Sequence, residues 1–294
     1  MLMKPLIQLL RPEQWAKNCF IFLPVFFSGQ LLNTSMLVSC FVAFISFSLA
    51  ASSIYCFNDI YDVDSDRSHP TKCKRPVASG AISIKTSYAV MAICFVLSML
   101  ILFLVGGKQW YIVMALIAFY YLMNMAYCIR LKQYAIIDVM LISTGFVLRI
   151  LVGGTAAGVW LSEWIVIMTF LLALFLAFAK RRDDVILFQE TGILSRKNTN
   201  RYNLVFLNQV MTVVSTVTII AYIMYSISPD VIERFHSRYV YLTAIFVLTG
   251  IIRYLQVTIV YLKSGNPTKI LLKDRFIQVC IAGWIATFLF IIYL

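Results

Sequence analysis

The sequence predicts an all-α, polytopic membrane fold, and three observations carry that prediction. Of 294 residues, 61% are hydrophobic and 13% charged, too little charge to coat a water-soluble domain of this length. Apolar runs of membrane-spanning length recur between short polar connections, near residues 19–34, 36–58, 84–105, 109–129, 134–157, 161–180, 203–228, 239–262 and 276–294. Cations gather on alternate connections. With the N-terminus in the cytosol, only Lys108, Arg234 and Arg238 fall in outer loops, and only Arg149 and Arg253 fall within spans. The expectation is nine transmembrane helices in one bundle, residues 1–294 forming a single domain in the inner (plasma) membrane, N-terminus inside and C-terminus outside. The net charge of +12 then follows from topology and calls for no nucleic acid.

Taken in order, "MLMKPLIQLL" reads as a short surface-lying segment, apolar for the headgroup boundary and cationic at Lys4. Lys4, Arg11 and Lys17 precede the first span, but no small-residue cleavage site follows, so the segment is expected in the mature protein. That first span is the weakest, being short and carrying Pro24. Trp110, Trp160 and Trp164 fall at the outer boundary and Trp15 at the inner one, as aromatic anchors do. Gly154 and Gly158 form a small-xxx-small pair in the fifth span, expected to serve close packing. The seven cysteines contain no CxxC pair and mostly lie inside spans, where they act as small apolar filler.

Polarity is concentrated in two connections on the cytosolic side, residues 59–83 and 180–202. The first holds "NDIYDVDSDRSHPTKCKRP", residues 58–76. If the second helix runs on through it, Asn58, Asp62 and Asp66 follow at i, i+4 and i+8, and Asp59 lies three before Asp62 and seven before Asp66, so all four share a face. Asp64 points the opposite way. Carboxylates stacked on one face repel unless a cation sits among them, and hard oxygen ligands with an amide suit Mg2+, which commonly shares its shell with a substrate diphosphate. The bland alternative is a solvated loop neutralised by Arg67, Lys72, Lys74 and Arg75.

The second connection begins "AKRRDD", with Lys180, Arg181 and Arg182 closing an apolar span and Asp183 and Asp184 following. Lys180 and Asp184 are i, i+4 neighbours, a spacing that would orient the ammonium toward a phosphate, though any lysine here would also satisfy topology. Asp138 and Arg253, ionisable groups near or within spans, are expected to face a cavity, while Arg149 is equally consistent with structure. His69, alone in a turn, is read as loop structure.

"RPEQWAKN" at 11–18, the 58–76 stretch, "YCIRLK" at 127–132, "AKRRDD" at 179–184 and "LLKDR" at 271–275 together resemble the UbiA superfamily of membrane transferases, and more narrowly its polyprenyl-phosphate phosphoribosyltransferase branch. That resemblance implies a nine-helix bundle with a cytosol-facing cavity and a part in cell-envelope biosynthesis. It implies Mg2+ on Asn58, Asp62 and Asp66, with Asp59, Asp62, Asp66 and Lys180 as catalytic residues. Lys17, Asn58, Arg67, Lys72, Arg75, Tyr127, Lys132, Arg181 and Asp184 would contact substrate. The chain departs from the branch pattern at Arg182, Asp183 and Asp184.

The implied reaction moves 5-phosphoribose from 5-phosphoribosyl diphosphate to a polyprenyl phosphate such as decaprenyl phosphate, in the bilayer, with room for a homo-oligomer. The lipid phosphate is already ionised, so no general base is needed, and no Ser/His/Asp or Cys/His constellation is seen. The alternative is the superfamily's commoner chemistry, prenyl transfer from a prenyl diphosphate to an aromatic or quinone-precursor acceptor. A transporter is a weaker third reading, because the polar groups gather at one interface with little inverted-repeat signal.

Overall fold

The computed structural model describes residues 3–68, 71–192, 198–262, 270 and 273–293, so His69 lies outside the described residues. Every regular element among them is helical. A short helix α1 (Met3–Leu10) is followed by a 3₁₀ segment (Pro12–Phe22) and α2 (Leu23–Phe27). Then come α3 (Thr34–Tyr61), α4 (Val63–Arg67), α5 (Ile84–Val105), α6 (Lys108–Ile129), α7 (Ile137–Ala157), α8 (Glu163–Thr191), α9 (Leu204–Ser226) and α10 (Pro229–Phe235). The last elements are α11 (Ala244–Leu255), entered by a 3₁₀ turn and left by a π turn (Gln256–Val260), and α12 (Arg275–Tyr293).

Seven helices among the described residues are long and apolar enough to cross a bilayer: α3, α5, α6, α7, α8, α9 and Tyr239–Val260. Arg275–Ile291 is apolar but shorter. The expected span at 19–34 is not one helix. Pro24 lacks the N–H an α-helix interior needs, and the chain there passes from a 3₁₀ run ending at Phe22 into one short α-helix.

The chain divides into two compact units, one of residues 1–132 with 147–161 and one of residues 133–146 with 162–294. In the first, α3 is N-capped by Asn33, whose side chain accepts the Met36 N–H at 3.3 Å. It buries small residues, Ala43, Ser46, Ala50, Ala51, Ser52 and Ser53, of which Ser46 and Ser53 meet α5. The buried hydroxyls are satisfied across that contact: Ser46 donates to Ser98 O at 2.9 Å, Ser98 to Ser46 O at 2.7 Å, and Ser53 to Met91 O at 2.8 Å. Gly153 is required where a Cβ would run into the Ile21 carbonyl. Gly154 meets the Leu161 side chain, but Gly158 does not pack: it ends α7 at φ +67, with Val159 N–H on Gly154 O and Gly158 N–H on Thr155 O, a Schellman turn.

Arg149 is buried and structural. Its Nε donates to Asn18 Oδ1 at 2.8 Å and Nη2 to Tyr120 Oη at 3.3 Å, and the guanidinium lies over the Phe47 and Tyr120 rings. Helix α1 lies on this unit through Leu6, Leu9 and Leu10, packed with Cys56, Val63, Val77 and Ile82, and leaves Met3 and Ile7 exposed. Trp15 donates to Ser52 Oγ at 3.0 Å, an inward bond beyond the anchoring role expected of it.

In the second unit α8 packs along α9, and α11 against α12. Arg253, expected to face a cavity, is partnered within this unit. It pairs with Asp274 (Nη2–Oδ2 2.8 Å), and Asp274 Oδ1 accepts the Ile277 N–H at 3.0 Å, capping α12. The Arg253 bond holds the Asp274 carboxyl below its ordinary range. A carboxyl depressed in the folded state contributes stability above its unfolded pKa and loses it as pH falls through the folded value. Asp274→Ala is therefore expected to cost on the order of 1 kcal/mol near pH 7. The difference from wild type should shrink as pH drops below about 4 and vanish further down, as read by thermal unfolding of the detergent-solubilised protein at a series of pH values.

Candidate active site

The acidic ridge forms as its spacing predicts. Asp62 N–H bonds Asn58 O at 3.0 Å and Asp66 N–H bonds Asp62 O at 2.8 Å, so the helical ladder runs almost unbroken from α3 into α4. Asn58, Asp62 and Asp66 stand one turn apart on one face, with Asp59 beside them. Asp64 points outward, 93% exposed, and takes only a long 3.4 Å contact from Arg67, so Arg67 serves the opposite face and is not brought to the ridge.

Each ridge carboxylate is held by a cation. Arg75 Nη1 bridges Asp66 Oδ2 at 2.6 Å and Asp59 Oδ1 at 3.3 Å, spanning two helical turns. Arg11 Nη2 also reaches Asp59 Oδ1 at 2.5 Å, from a residue in the left-handed conformation (φ 53) and with its guanidinium over the Tyr55 ring. Lys132 Nζ grips both Asp62 oxygens, at 2.6 and 2.8 Å. Asp59 and Asp66 are 1% and 2% exposed, a depth at which an unpaired carboxylate would be prohibitive. Local turns deliver the partners: the 3₁₀ turn Lys72–Lys74 returns Arg75 to the ridge, and the one at Leu131–Gln133 presents Lys132. The end of α6 adds two contacts, Cys128 Sγ donating to Asn58 Oδ1 at 3.5 Å and Tyr61 Oη donating to Ile129 O at 3.1 Å.

These donors suit a hard divalent cation in kind: three carboxylates and an amide oxygen, with one of the carboxylate oxygens, Asp59 Oδ2, buried and accepting no hydrogen bond. Among the described residues, no three Asp, Glu, His or Cys side chains converge tightly enough to form a metal site by themselves, because Arg11, Arg75 and Lys132 stand between them. The other expected contacts of this unit are spread. Lys17 is exposed on the first 3₁₀ segment, while Lys72 and Tyr127 are half-buried.

In the second unit, Arg181 is 1% exposed and lies between two carboxylates, with Nε on Asp138 Oδ2 and Nη1 on Asp184 Oδ2, both at 2.6 Å. Asp138, expected to face a cavity, is fully buried in this pairing, and its Oδ1 accepts from Tyr202 Oη at 2.9 Å. Burial pushes the Tyr202 phenol above its ordinary value, which keeps it a donor. The same oxygen accepts the Ile136 N–H at 2.7 Å and so holds a β-branched residue at φ 70, where such residues are strained. Arg182 is tied to Asn208 Oδ1 at 2.8 Å and Thr258 O at 2.7 Å. Lys180 is exposed at this end of α8.

Sequence reasoning missed Arg11 as a ridge partner and Tyr202 as a partner of Asp138. For Arg11 the signal was available, a cation two turns ahead of Asn18 in a motif already singled out. For Tyr202 there was none, since 64 residues separate it from Asp138.

The profile of the UbiA prenyltransferase family matches residues 19–272. The chain belongs to that family. Within the UbiA family it is 33% identical to the decaprenyl-phosphate phosphoribosyltransferase of Mycolicibacterium smegmatis, over 97% of this chain and 92% of that one. It is 29% identical to the protein of the same name from Corynebacterium glutamicum, over 98% and 87%. A UbiA homolog from Archaeoglobus fulgidus solved with GPP and Mg2+ superposes with a TM-score of 0.68 at 18% identity, covering 99% of this chain and all of that one. With its seven apolar helices, this UbiA member is a multi-pass membrane protein and a group-transfer enzyme.

Removing Asp138 strips a buried guanidinium of one of its two counter-charges. Asp138→Ala is expected to destabilise by about 3 kcal/mol, and Arg67→Ala by less than about 0.5 kcal/mol. Thermal unfolding in detergent compares them, and equal shifts would contradict the structural role given to Asp138.

Proposed function

We propose that this enzyme transfers 5-phosphoribose from 5-phosphoribosyl diphosphate to a polyprenyl phosphate, releasing diphosphate, with Mg2+ as cofactor. The observation that carries the reading is the likeness, at 29–33% identity over nearly the whole chain, to relatives named decaprenyl-phosphate phosphoribosyltransferase. Residues 1–294 act as one transferase. Counting Pro12–Phe27 and α12 with the seven long helices gives nine crossings in the inner membrane. The N-terminus and a substrate cavity then lie on the cytosolic side, the C-terminus outside.

Asn58, Asp62 and Asp66 would hold the metal, with Asp59 beside them. Mg2+ bound there supplies charge neutralisation for a departing diphosphate. Arg75, Lys132, Lys72, Lys17 and Tyr127 would supply donors for the phosphates. The bond from the anomeric carbon to the diphosphate oxygen breaks, and the diphosphate leaves with the electron pair. A lipid phosphate oxygen forms the new bond on the opposite face. That oxygen is an anion near neutral pH, so no side chain has to take a proton, in keeping with a site of carboxylates already paired to cations.

The second reading, prenyl transfer to an aromatic acceptor, is favoured by the family's own name and by the GPP-bound structure from Archaeoglobus fulgidus. Against it stands the later motif, where Asp184 is engaged by Arg181 and three cations precede the two aspartates.

One experiment separates them. The purified protein with Mg2+ is given labelled phosphoribosyl diphosphate and decaprenyl phosphate in one reaction, and prenyl diphosphate and 4-hydroxybenzoate in another. Product is expected in the first only, and Asp62→Ala is expected to lower that turnover at least about a hundredfold. Prenylated benzoate alone would overturn the reading.

A further inference from the structure

On the reading just given, the two oxygens of Asp62 that would receive a divalent ion are the two that Lys132 already grips, at 2.6 and 2.8 Å. A divalent ion on those oxygens would stand a few ångström from the ammonium and be repelled by it, so the two partners compete for the carboxylate. The neighbouring contact from α6 carries no such conflict. Cys128 uses one lone pair of the Asn58 carboxamide oxygen and leaves the other open.

The local architecture lets Lys132 move alone. Tyr61 Oη on Ile129 O ties α3 to α6 without involving Lys132, so its departure requires side-chain torsions and no helix shift. Its side chain is about a fifth exposed, on the short turn after α6, with the Tyr61 ring 5.5 Å from Nζ. Arg11 and Arg75 differ in kind: both are planar guanidiniums on carboxylates that are almost wholly buried. Lys132 is a compact charge on a flexible stem against a carboxylate that is 24% exposed.

Charge counting gives the exchange a direction. Asp59, Asp62 and Asp66 are balanced by Arg11, Arg75 and Lys132, so a bare divalent ion would add two positive charges to a neutral site. A diphosphate arriving with it reverses that excess and offers oxygens to the displaced ammonium. We propose that Lys132 is an exchangeable resident cation: it blocks Asp62 against a bare divalent ion and yields it when a diphosphate arrives to accept the ammonium, so metal and diphosphate bind as one event. The block and the coupling are reciprocal, each ligand raising the affinity for the other by the same factor.

The test measures metal binding directly and needs no turnover. The full-length protein in detergent is dialysed to equilibrium against Mn2+ at fixed free concentrations, with and without inorganic diphosphate. For wild type, diphosphate is expected to raise Mn2+ affinity about tenfold or more. Lys132→Met is expected to bind Mn2+ alone about tenfold more tightly than wild type, and to lose most of the gain from diphosphate. Lys132→Arg, which keeps a cation on Asp62, should retain both block and coupling.

Unchanged or weaker Mn2+ binding by Lys132→Met, with Asp62→Asn abolishing binding, would overturn the exchange while leaving the metal assignment standing. Mn2+ binding insensitive to Asp62→Asn would remove the metal assignment, and the exchange with it. If Lys132→Met does not fold, full coupling lost in a folded Lys132→Arg overturns the exchange on its own.

Discussion

Much of this chain is organised by the need to keep three carboxylates charged at the end of a long apolar helix. An α3 ending in ordinary polar residues would demand nothing from its surroundings. Asp59, Asp62 and Asp66 on one face demand counter-charge from three directions. Arg11 comes from the chain ahead of α3, in a backbone conformation that an L-residue adopts only at some cost. Arg75 comes from the turn after α4, and Lys132 from the turn after α6. The packing of α1 through Leu9 and the Tyr61 bond to Ile129 O hold the segments that bring Arg11 and Lys132 into reach.

The second unit uses the same electrostatics to a different end. Arg181 and Asp138 are both almost fully inside, close a pair with Tyr202, and use that pair to hold the entry to α7 at Ile136. Arg181 is thus engaged in holding this part of the fold, at a motif that suggested a phosphate contact. The ridge differs in being partly open: Asp62 and Lys132 are each about a quarter exposed or less, so their pair can part without uncovering the helix interior.

How much of this was legible in the sequence depends on whether the signal was local. The seven long helices and the shared face of Asn58, Asp62 and Asp66 follow from length, hydropathy and helical period, and all three are properties of neighbouring residues. Asp64 was set aside for the same reason, and the structure turns it outward. Long-range pairing was not legible. Arg253 was expected to face a cavity because intramembrane charge is expensive, but that argument gives only the need for a partner, and Asp274, 21 residues on, meets it. Gly158 looked like one half of a packing pair, yet spacing alone cannot distinguish a glycine chosen for its lack of a side chain from one chosen for its positive φ. The 19–34 run had the hydropathy of a span, but it divides near Pro24 into the end of a 3₁₀ run and a short α-helix.

The contrast between the two motifs also bears on substrate chemistry. Fold likeness at 17–18% identity reaches proteins of more than one activity and cannot by itself choose a donor. The charge arrangement discriminates better. Asp183 and Asp184 are adjacent and therefore about 100° apart around α8, so they cannot form a second ridge of the kind that Asn58, Asp62 and Asp66 make. One of them is already committed to Arg181. Of the three cations ahead of them, Arg181 and Arg182 are buried in bonds within the protein, and Lys180 is the exposed one.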